Sequence, residues 1–437
     1  MQSFKSSMDD FLSRHGMNPD AIGMETVCTM FRDEMQRGLN GTESSLAMLP
    51  TYLEVTFKVP RHEKAIVLDA GGTNFRVATV YFDDDGRAVI ENFRKYPMPG
   101  IGEETGKEQF FGVIARYLAD IRKASSKVGF CFSYSVEIQP DKDGRVIKFS
   151  KEIKAPEVEG ELLGENLKKA LQQDGADLDY QVVVLNDTVA VSLAGQAAAT
   201  DEVFDSFIGF ILGTGTNVCY IESNAHIGKK PGLNPEGSQL INVESGGFAK
   251  IPQGDIDLVF DRTTGNPGVF TFEKMISGRY LGGLGRVLLQ TAAAENLFSD
   301  KVAASIMGLQ DLSTVELNQF LTAPFNGGNT LGSIVAFGRE QDRTVAYYLL
   351  DRLVDRAAKL SAASIAAAVL QSGKGLLPER PVCIMADGTT FHHLKALKEK
   401  IEYYLRDYLV RGKGRYYTIK ALENAPLIGA AIAGLTN

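Results

Sequence analysis

The sequence lacks the cysteine pattern that a disulfide framework or a metal site requires. Its four cysteines are far apart and show no metal-ligand spacing. Three of them lie inside apolar runs that are typical of strands. The four are Cys28, Cys131, Cys219 and Cys383. Because small secreted domains use dense disulfides and reducing compartments do not, this spacing predicts a cytoplasmic protein.

Long uninterrupted apolar segments are also missing. Residues 1–18 mix charged and apolar side chains, so we expect no signal peptide. The most apolar helical stretch, residues 357–370, contains Lys359 and is too short to span a bilayer. We therefore expect no membrane partner, and we interpret residues 357–370 as a buried core helix.

The chain has no excess of basic residues. It carries 46 lysines and arginines against 54 aspartates and glutamates, which gives a formal net charge of −8. This balance argues against a nucleic-acid partner or an anionic membrane surface. It does not exclude an anionic ligand, since backbone amides can bind one locally. At 437 residues the chain is expected to form two or three domains.

A short glycine-rich pattern occurs twice, about one domain apart. The first copy is Leu-Asp-Ala-Gly-Gly-Thr-Asn (68–74), and the second is Leu-Gly-Thr-Gly-Thr-Asn (212–217). Each copy lies between two apolar runs, which predicts a strand, a tight turn and a second strand, made twice. Glycine allows positive φ in such a turn, and successive N–H groups form an anion site. Two such turns on duplicated halves indicate a nucleotide-phosphate enzyme with a cleft.

Neither glycine pattern is a P-loop or a dinucleotide fingerprint, because the spacing differs and a strand follows. Asp69 ends the strand before the first turn, where a carboxylate can hold a Mg²⁺-bound water beside nucleotide phosphates. The groups predicted to face the phosphates there are Gly71, Gly72, Thr73 and Arg76. Taken alone, the first copy also fits an ordinary hairpin turn. In the second copy Leu212 takes the position that Asp69 has in the first. One magnesium-directing carboxylate is sufficient for a single nucleotide site.

Further polar groups lie where apolar strands end or helices begin. Asp187, in Asn186-Asp187-Thr188, could aim an alcohol at a phosphoryl group, but the same triplet also fits a helix N-cap. Glu244 and Glu273 could accept hydrogen bonds from sugar hydroxyls. Glu273 fits equally well in the solvated first turn of a helix. Residues 387–389 fit either a turn or the adenosine end of a nucleotide site.

Strand and helix periods alternate along the whole chain, so the predicted class is α/β. Residues 1–50 are predicted to be helical and amphipathic and to pack on the body of the protein. Longer helices are predicted over residues 272–289, 339–371 and 392–409. No segment is rich enough in proline or serine to predict a flexible tether, so the halves are expected to pack closely.

Six strings together resemble the eukaryotic-type hexokinases, from about residue 60 to 290 and more loosely beyond. They are Leu-Asp-Ala-Gly-Gly-Thr-Asn-Phe-Arg-Val (68–77), Phe-Ser-Tyr-Ser (132–135), Leu-Asn-Asp-Thr-Val (185–189), Gly-Thr-Gly-Thr-Asn (213–217), Ile-Asn-Val-Glu-Ser-Gly-Gly-Phe (241–248) and Thr-Phe-Glu-Lys-Met-Ile-Ser-Gly-Arg-Tyr-Leu-Gly (271–282). The last string is the most specific, since nothing physical demands it outside that family. The resemblance implies a two-lobed actin-like ATPase fold, duplicated and ribonuclease H-like, with an interlobe cleft. It also implies 6-phosphorylation of a hexose by MgATP.

The resemblance also implies a role for each matched residue. Asp187 is similar to the catalytic base, with Lys151 offsetting charge on the transferring group. The implied sugar-binding residues are Ser150, Lys151, Asn186, Asp187, Asn217, Glu244 and Glu273. The implied nucleotide-binding residues are Asp69 (through water to Mg²⁺), Gly71, Gly72, Thr73, Asn74, Arg76, Gly213, Thr214, Gly215, Asp387, Gly388 and Thr389. The family pattern is departed from at residues 135–137, at Ser150 and at residues 424–427.

These implications set the expected organisation and leave some alternatives open. We expect a small lobe over residues 51–187 that includes a C-terminal helix at about 424–437, and a large lobe over residues 188–423. A sugar-binding regulator with little turnover is one alternative, and an actin-like or Hsp70-like ATPase that acts on proteins is another. The preferred hexose, the nucleotide preference and the oligomeric state are not predicted.

Overall fold

The structure, a computed structural model, describes residues 2–149, 153–199 and 202–437. The described residues form thirteen strands and fifteen α-helices. The strands are β1 (Leu49–Glu54), β2 (Ala65–Gly71), β3 (Asn74–Phe82), β4 (Ala88–Pro97), β5 (Lys127–Phe132), β6 (Ser135–Ile138), β7 (Gly144–Lys148), β8 (Gln181–Leu185), β9 (Ser206–Leu212), β10 (Thr216–Ser223), β11 (Ser238–Asn242), β12 (Val382–Asp387) and β13 (Tyr417–Lys420). The helices are α1 (Gln2–Arg14), α2 (Met24–Leu39), α3 (Lys107–Tyr117), α4 (Leu163–Gln173), α5 (Asp187–Ala198), α6 (Asp255–Thr263), α7 (Thr271–Ile276), α8 (Leu281–Ala294), α9 (Asp300–Met307), α10 (Thr314–Thr322), α11 (Thr330–Ala336), α12 (Glu340–Ser372), α13 (Thr389–His393), α14 (Leu397–Leu405) and α15 (Ala425–Thr436).

Two large sheets repeat one design. The five-stranded sheet has the order β4-β3-β2-β5-β8, and the six-stranded sheet has the order β1-β11-β10-β9-β12-β13. In the first, β2, β3 and β4 are antiparallel neighbours, and β5 and β8 add to β2 in parallel. In the second, β9, β10 and β11 are antiparallel, and β12 and β13 add in parallel. The duplicated α/β architecture expected from the sequence is confirmed.

Strand β2 lies in the middle of the smaller sheet and is covered on both faces. Its residues point alternately to two sides, because side chains alternate along a strand. Ile66 and Leu68 join a core formed with α3 and α4. Ala65 and Val67 join a second core that also contains residues of α5, α15 and the larger sheet. This second core therefore links the two sheets through α5 and α15.

Helices α5 and α15 approach their neighbours very closely, and glycine makes this possible. A Cβ atom on Gly429 of α15 would lie 1.9 Å from the carbonyl oxygen of Ala190 in α5. A Cβ on Gly129 of β5 would lie 1.8 Å from the carbonyl oxygen of Ala430. Since neither contact tolerates a side chain, the packing fixes α5 against α15 and β5. The first residue of α5, Asp187, is thereby placed between the two sheets.

The N-terminal helices pack on the larger sheet. Phe11 of α1 and Phe31 of α2 are fully buried in the same core as Phe248 and Phe272. Strand β1, which follows α2, pairs with β11 of the six-stranded sheet. The long helix α12 also belongs to this core, and residues 357–369 within it are almost entirely buried, as a core helix requires. Within the described part of the chain, no helix combines the length and apolarity that a bilayer crossing needs.

Candidate active site

The first glycine turn joins β2 to β3, where Gly71 is opposite Asn74 in the ladder. Gly72 has φ +58°, which glycine adopts without strain. The Tyr134 hydroxyl donates a hydrogen bond to the Gly72 carbonyl, and the Met98 N–H donates to the Thr73 carbonyl at 3.0 Å. Because these carbonyls are engaged by the protein, the amides of the turn are the groups left for an anionic ligand.

Asp69 lies directly behind this turn and is only 1% exposed. It is opposite Arg76 in the β2–β3 ladder, and its Oδ2 contacts the Arg76 guanidinium without forming a hydrogen bond. Burial raises the pKa of Asp69 to about 6, although Arg76 opposes the shift, and the nearby charge of Asp187 adds to it. A buried carboxylate that is paired with a single guanidinium keeps further lone pairs, and a metal-bound water can use them.

The second glycine turn joins β9 to β10 and is tied back in the same way. The Gly213 carbonyl accepts hydrogen bonds from the Gly278 N–H at 2.9 Å and from the Thr390 hydroxyl at 2.8 Å. The Thr214 carbonyl accepts from the Arg279 N–H at 3.2 Å. The side chain of Thr214 is exposed at the tip of the turn. Here too the carbonyls are engaged, so the turn presents amides and a hydroxyl.

The end of β12 lies against the second turn, because β12 runs parallel to β9 and pairs Asp387 with Ile211. Gly388 has φ +119°, and a Cβ there would lie 2.4 Å from the Leu212 carbonyl oxygen. Only glycine fits this position. Asp387, Gly388 and Thr389 therefore stand beside Gly213.

A cavity of about 460 Å³ opens beside the second turn. Its lining includes Gly278 and Arg279 from the segment that bonds to the turn, and residues 311–315 on the opposite side. Arg286 also lines the cavity, and its buried Nε has no hydrogen-bond partner. A cavity with a basic lining next to an anion-binding turn can hold the remainder of a nucleotide.

A chain of amide and carboxylate side chains lies between the sheets. Asn217 Nδ2 donates to Asn242 Oδ1 at 2.6 Å, and Asn242 Nδ2 donates to Glu244 Oε1 at 2.8 Å. Asn217 Nδ2 also reaches Asn186 Oδ1 at 3.3 Å. Asn186 Oδ1 caps α5 by accepting the Thr188 N–H at 2.9 Å. The N-terminal cap of α5 and the row of amide and carboxylate side chains therefore belong to one hydrogen-bond network.

Glu273 enters this network from the first turn of α7. Its Oε2 accepts the Thr216 N–H at 3.0 Å. A Cβ on Gly215 would lie 2.6 Å from that oxygen, and one on Gly246 would lie 3.1 Å from it. Burial raises the pKa of Glu273 to about 7; the Thr216 N–H opposes the shift, and the charge of Glu244 adds to it. The carboxylate is thus held in a glycine-lined recess rather than on a solvated helix turn.

Asp187 stands at the centre of these groups. Its Oδ1 accepts the Thr188 N–H at 2.8 Å, and the Ser133 side chain lies near enough to act on its pKa. Burial raises the pKa of Asp187, Ser133 and Thr188 oppose the shift, and Asp387 reinforces it. The charge of Asp187 in turn raises the pKa of Asp69 and of Glu244. One acid is therefore in electrostatic contact with residues of both sheets.

The structure thus brings together most of the residues singled out in the sequence. Ser150 and Lys151 lie outside the described residues. The sequence analysis missed Ser133, Asn242 and the backbone of Arg279. Ser133 and Asn242 each stand at a strand end inside a quoted string, and this position was the available signal. No feature of the sequence indicated the hydrogen bond from the Arg279 N–H to the Thr214 carbonyl, because this bond forms at a break between two helices.

The fold is that of the actin-like ATPases, with a cluster of amide and carboxylate side chains between its halves. Solved structures share the fold. A hexokinase from Schistosoma mansoni, solved in complex with glucose, aligns with a TM-score of 0.76 and 24% identity over 99% of each chain.

The sequence comparisons identify the family. Two hexokinase family models match residues 8–197 and residues 207–436. The chain therefore belongs to the hexokinase family of enzymes. Hexokinase-5 of Oryza sativa subsp. japonica is 30% identical over 96% of this chain and 87% of the rice protein. Hexokinase-2 of Rattus norvegicus is 31% identical over 94% of this chain, which spans 46% of the rat protein.

Proposed function

We propose that the protein is an ATP-dependent hexokinase that phosphorylates the 6-hydroxyl of glucose or a related hexose. The placement of Asp187 carries the proposal. Its pKa is affected by Ser133 of the smaller-sheet half, and its charge interacts with Glu244 and Asp387 of the other half. Phosphoryl transfer needs an acid at such a point, beside the phosphates and facing the acceptor alcohol. The relatives named hexokinase in rat and rice support the same substrate class.

We propose further that the two sheets belong to two lobes that enclose the substrates. Residues 51–187 with α15 form the small lobe, residues 188–423 form the large lobe, and residues 1–50 pack on the body. The packing of α15 against β2 and β5 supports this division. Closure of the lobes would exclude water, which otherwise competes with the sugar as phosphoryl acceptor.

The hexose is assigned to the amide and carboxylate network. Carboxylates and amides are multivalent acceptors, and a sugar presents several hydroxyl donors in fixed directions. The raised pKa values of Glu244 and Glu273 mark carboxylates that lack sufficient donors until a ligand provides them. The assigned residues are Ser150, Lys151, Asn186, Asp187, Asn217, Glu244 and Glu273.

The nucleotide is assigned to the two glycine turns and the end of β12. The assigned residues are Gly71, Gly72, Thr73, Asn74, Arg76, Gly213, Thr214, Gly215, Asp387, Gly388 and Thr389. The nucleoside end is proposed to occupy the cavity beside Arg279. Asp69 fits a water on a nucleotide-bound Mg²⁺ ion, which would neutralise charge on the phosphates. Few carboxylates are needed for such an ion, and among the described residues no group of three or more His, Cys, Asp or Glu side chains converges as a metal site.

Asp187 is proposed to orient the sugar and to receive its proton. The 6-hydroxyl donates a hydrogen bond to the carboxylate, which aims the oxygen at the γ-phosphorus. The new O–P bond forms as the bond to the β–γ bridging oxygen breaks, and the hydroxyl proton passes to Asp187 late in the step. The raised pKa of Asp187, caused mainly by burial, makes it a stronger base than a solvated aspartate. Lys151 is proposed to offset charge on the transferring group.

The test is Asp187→Asn, with Asp187→Ala beside it. The amide keeps an acceptor for the Thr188 N–H but cannot receive a proton. We expect kcat to fall at least ~10²-fold, the scale of general-base loss, with sugar affinity changed only a few-fold. Asp143→Asn is the control, since Asp143 is also a buried carboxylate that accepts backbone N–H groups, from Gly144 and Gly164. Near-normal turnover of the Asp187 variants would refute the assigned role.

A coupled ADP-release assay separates the proposal from its alternatives. Hexose-dependent ADP release with the wild-type protein supports the kinase. Sugar binding by calorimetry with negligible ADP release would instead identify a regulator. ATP hydrolysis that hexoses do not stimulate would identify an ATPase acting on other substrates. A panel of glucose, fructose, mannose and amino sugars then gives the preferred substrate.

A further inference from the structure

A buried carboxylate on α2 belongs to none of the groups described above. Glu34 is 3% exposed, and its Oε2 accepts hydrogen bonds from the Ser45 N–H and the Ser45 hydroxyl, each at 2.7 Å. Burial alone would raise the pKa of Glu34, but the two bonds from Ser45, together with the charges of Lys250 and Arg37, outweigh it and hold the pKa below its usual value. Glu34 is therefore an ionised acceptor that fixes the segment after α2.

Ser45 connects this carboxylate to the segment that carries Glu244. The Ser45 Oγ accepts the Ala249 N–H at 3.1 Å. A hydroxyl has one hydrogen, and here it is directed to Glu34, because a carboxylate can only accept. The lone pairs of Ser45 are consequently left for Ala249. The Ser45 carbonyl also packs on Gly247, where a Cβ would lie only 3.0 Å away.

The segment held by Ser45 carries one of the two acids assigned to the sugar, Glu244, and packs against the other, Glu273. Glu244 begins it in the left-handed region, with φ +58°, which is a strained conformation for a residue with a side chain. Gly246, two residues further on, packs against Glu273, since a Cβ there would lie 3.1 Å from Glu273 Oε2. A shift of this segment would therefore move Glu244. It would also open the glycine-lined recess that holds Glu273.

An apolar contact from the same face of α2 supports the same two elements. The Phe31 ring lies 4.2 Å from the Phe248 ring and 5.5 Å from the Phe272 ring, measured between centroids. Phe248 follows the Glu244 segment, and Phe272 precedes Glu273. Phe31 and Glu34 are three residues apart and so share one side of the helix.

We propose that Glu34 and Ser45 are positioning residues for hexose binding, acting by clamping the segment from Glu244 to Ala249. The inference rests on the proposed function and assigns residues 24–48 a part in it. The Glu34 carboxylate orients the Ser45 hydroxyl, the hydroxyl holds the Ala249 amide, and the clamped segment keeps Glu244 and Glu273 in the arrangement that the sugar meets.

The experiment compares Ser45→Ala with Ser44→Ala in the full chain. Ser44 is the comparison position: its Oγ donates to the Glu34 carbonyl, approaches Glu34 Oε2 at 3.4 Å and accepts the Leu46 N–H, and none of these contacts reaches the Glu244 segment. We expect Ser45→Ala to raise the KM and the calorimetric Kd for glucose about five- to tenfold, the effect of losing the net free energy of one hydrogen bond. The KM for ATP and the kcat should stay within about twofold, and Ser45→Thr should restore the affinity, since it keeps the hydroxyl.

A second readout does not require turnover. Hydrogen–deuterium exchange of the sugar-free protein should be faster in the peptide covering residues 244–249 in Ser45→Ala, but not in Ser44→Ala. Glu34→Gln serves if Ser45→Ala does not fold. It keeps an acceptor but loses the charge, and it should raise the glucose Kd by less than Ser45→Ala is expected to.

The outcomes separate this inference from the proposed function. Equal glucose affinities and equal exchange in Ser45→Ala and Ser44→Ala, with an active wild type, would overturn the clamp and leave the hexokinase proposal intact. Loss of ATP affinity and sugar affinity together would also overturn it, since that points to general unfolding. A wild type that neither binds nor phosphorylates any hexose would defeat the proposed function, and the inference with it.

Discussion

Replacing Glu273 by glutamine should remove a pH-dependent part of the free energy of unfolding. Burial and the charge of Glu244 raise the pKa of Glu273 from 4.5 to about 7, with the Thr216 N–H opposing them. In the unfolded chain this carboxyl regains its ordinary pKa. Between the two values the folded protein keeps a proton that the unfolded chain releases. Folding is therefore favoured by this group at low pH, and the advantage is lost as the pH rises towards 7.

The size of the effect follows from the two pKa values. One pKa unit corresponds to about 1.4 kcal/mol, so the full difference amounts to about 3 kcal/mol. Over a practical range from about pH 5 to pH 8, about 2 to 3 kcal/mol of it should appear. Glutamine does not titrate and keeps an acceptor for the Thr216 N–H. The unfolding free energy of the variant minus that of the wild type should therefore increase by this amount as the pH is raised.

The assay is urea unfolding at several pH values, followed by far-ultraviolet circular dichroism because the sequence has no tryptophan. The difference between variant and wild type cancels the titration of shared groups that do not interact with Glu273. Glu316→Gln is a suitable control: hydrogen bonds from Thr330 and Ser313 lower the pKa of Glu316, so its contribution is constant above its unfolded pKa. A Glu273→Gln difference that stays as flat as that of the control between about pH 5 and pH 8 would refute the reasoning.

Two further predictions concern the acids that we propose to bind the sugar. Glu244→Ala should weaken glucose binding about ten- to hundredfold, the range for hydrogen bonds to charged groups, and calorimetry showing unchanged affinity would remove Glu244 from the site. Gly215→Ala should weaken glucose binding by a similar factor, because its Cβ would lie 2.6 Å from Glu273 Oε2. Gly213→Ala is the matched variant, since its Cβ would meet only ordinary contacts at 3.7 Å or more; equal sugar affinities in the two variants would contradict the steric argument.

The sequence was sufficient to predict the duplicated strand–turn–strand units, because their signals are local. Glycine at a turn and apolar runs on each side depend on a few adjacent residues. The triplet at 186–188 shows how two interpretations of one string can both describe the structure. Asn186 provides the helix cap, as its bond to Thr188 demonstrates. Asp187 Oδ1 shares the same Thr188 N–H at 2.8 Å, so both side chains contribute at the start of α5, and Asp187 Oδ2 is left for the proposed catalytic role.

The sequence was insufficient where tertiary hydrogen bonds interrupt a helix. The predicted helix over residues 272–289 was wrong, since α7 ends at Ile276 and α8 begins at Leu281. The Gly278 N–H bonds to the Gly213 carbonyl instead of continuing the helix. The predicted helix over residues 392–409 was interrupted likewise, where Asn318 bonds to the His393 carbonyl and the Lys395 N–H. Apolar periodicity continues across both breaks, so only the fold reveals them.

The carboxylates between the sheets show why such a cluster is better explained by ligand binding than by stability. Among the described residues, Asp187, Glu244 and Glu273 have no cation within ion-pair distance, whereas the structural pair Asp257–Arg356 is buried with direct hydrogen bonds. Burial raises the pKa of all three acids, and each therefore weakens folding near neutral pH. A core selected for stability would replace such groups or pair them. Their presence beside two anion-binding turns is explained if a ligand supplies the missing donors, as the hydroxyls of a hexose can.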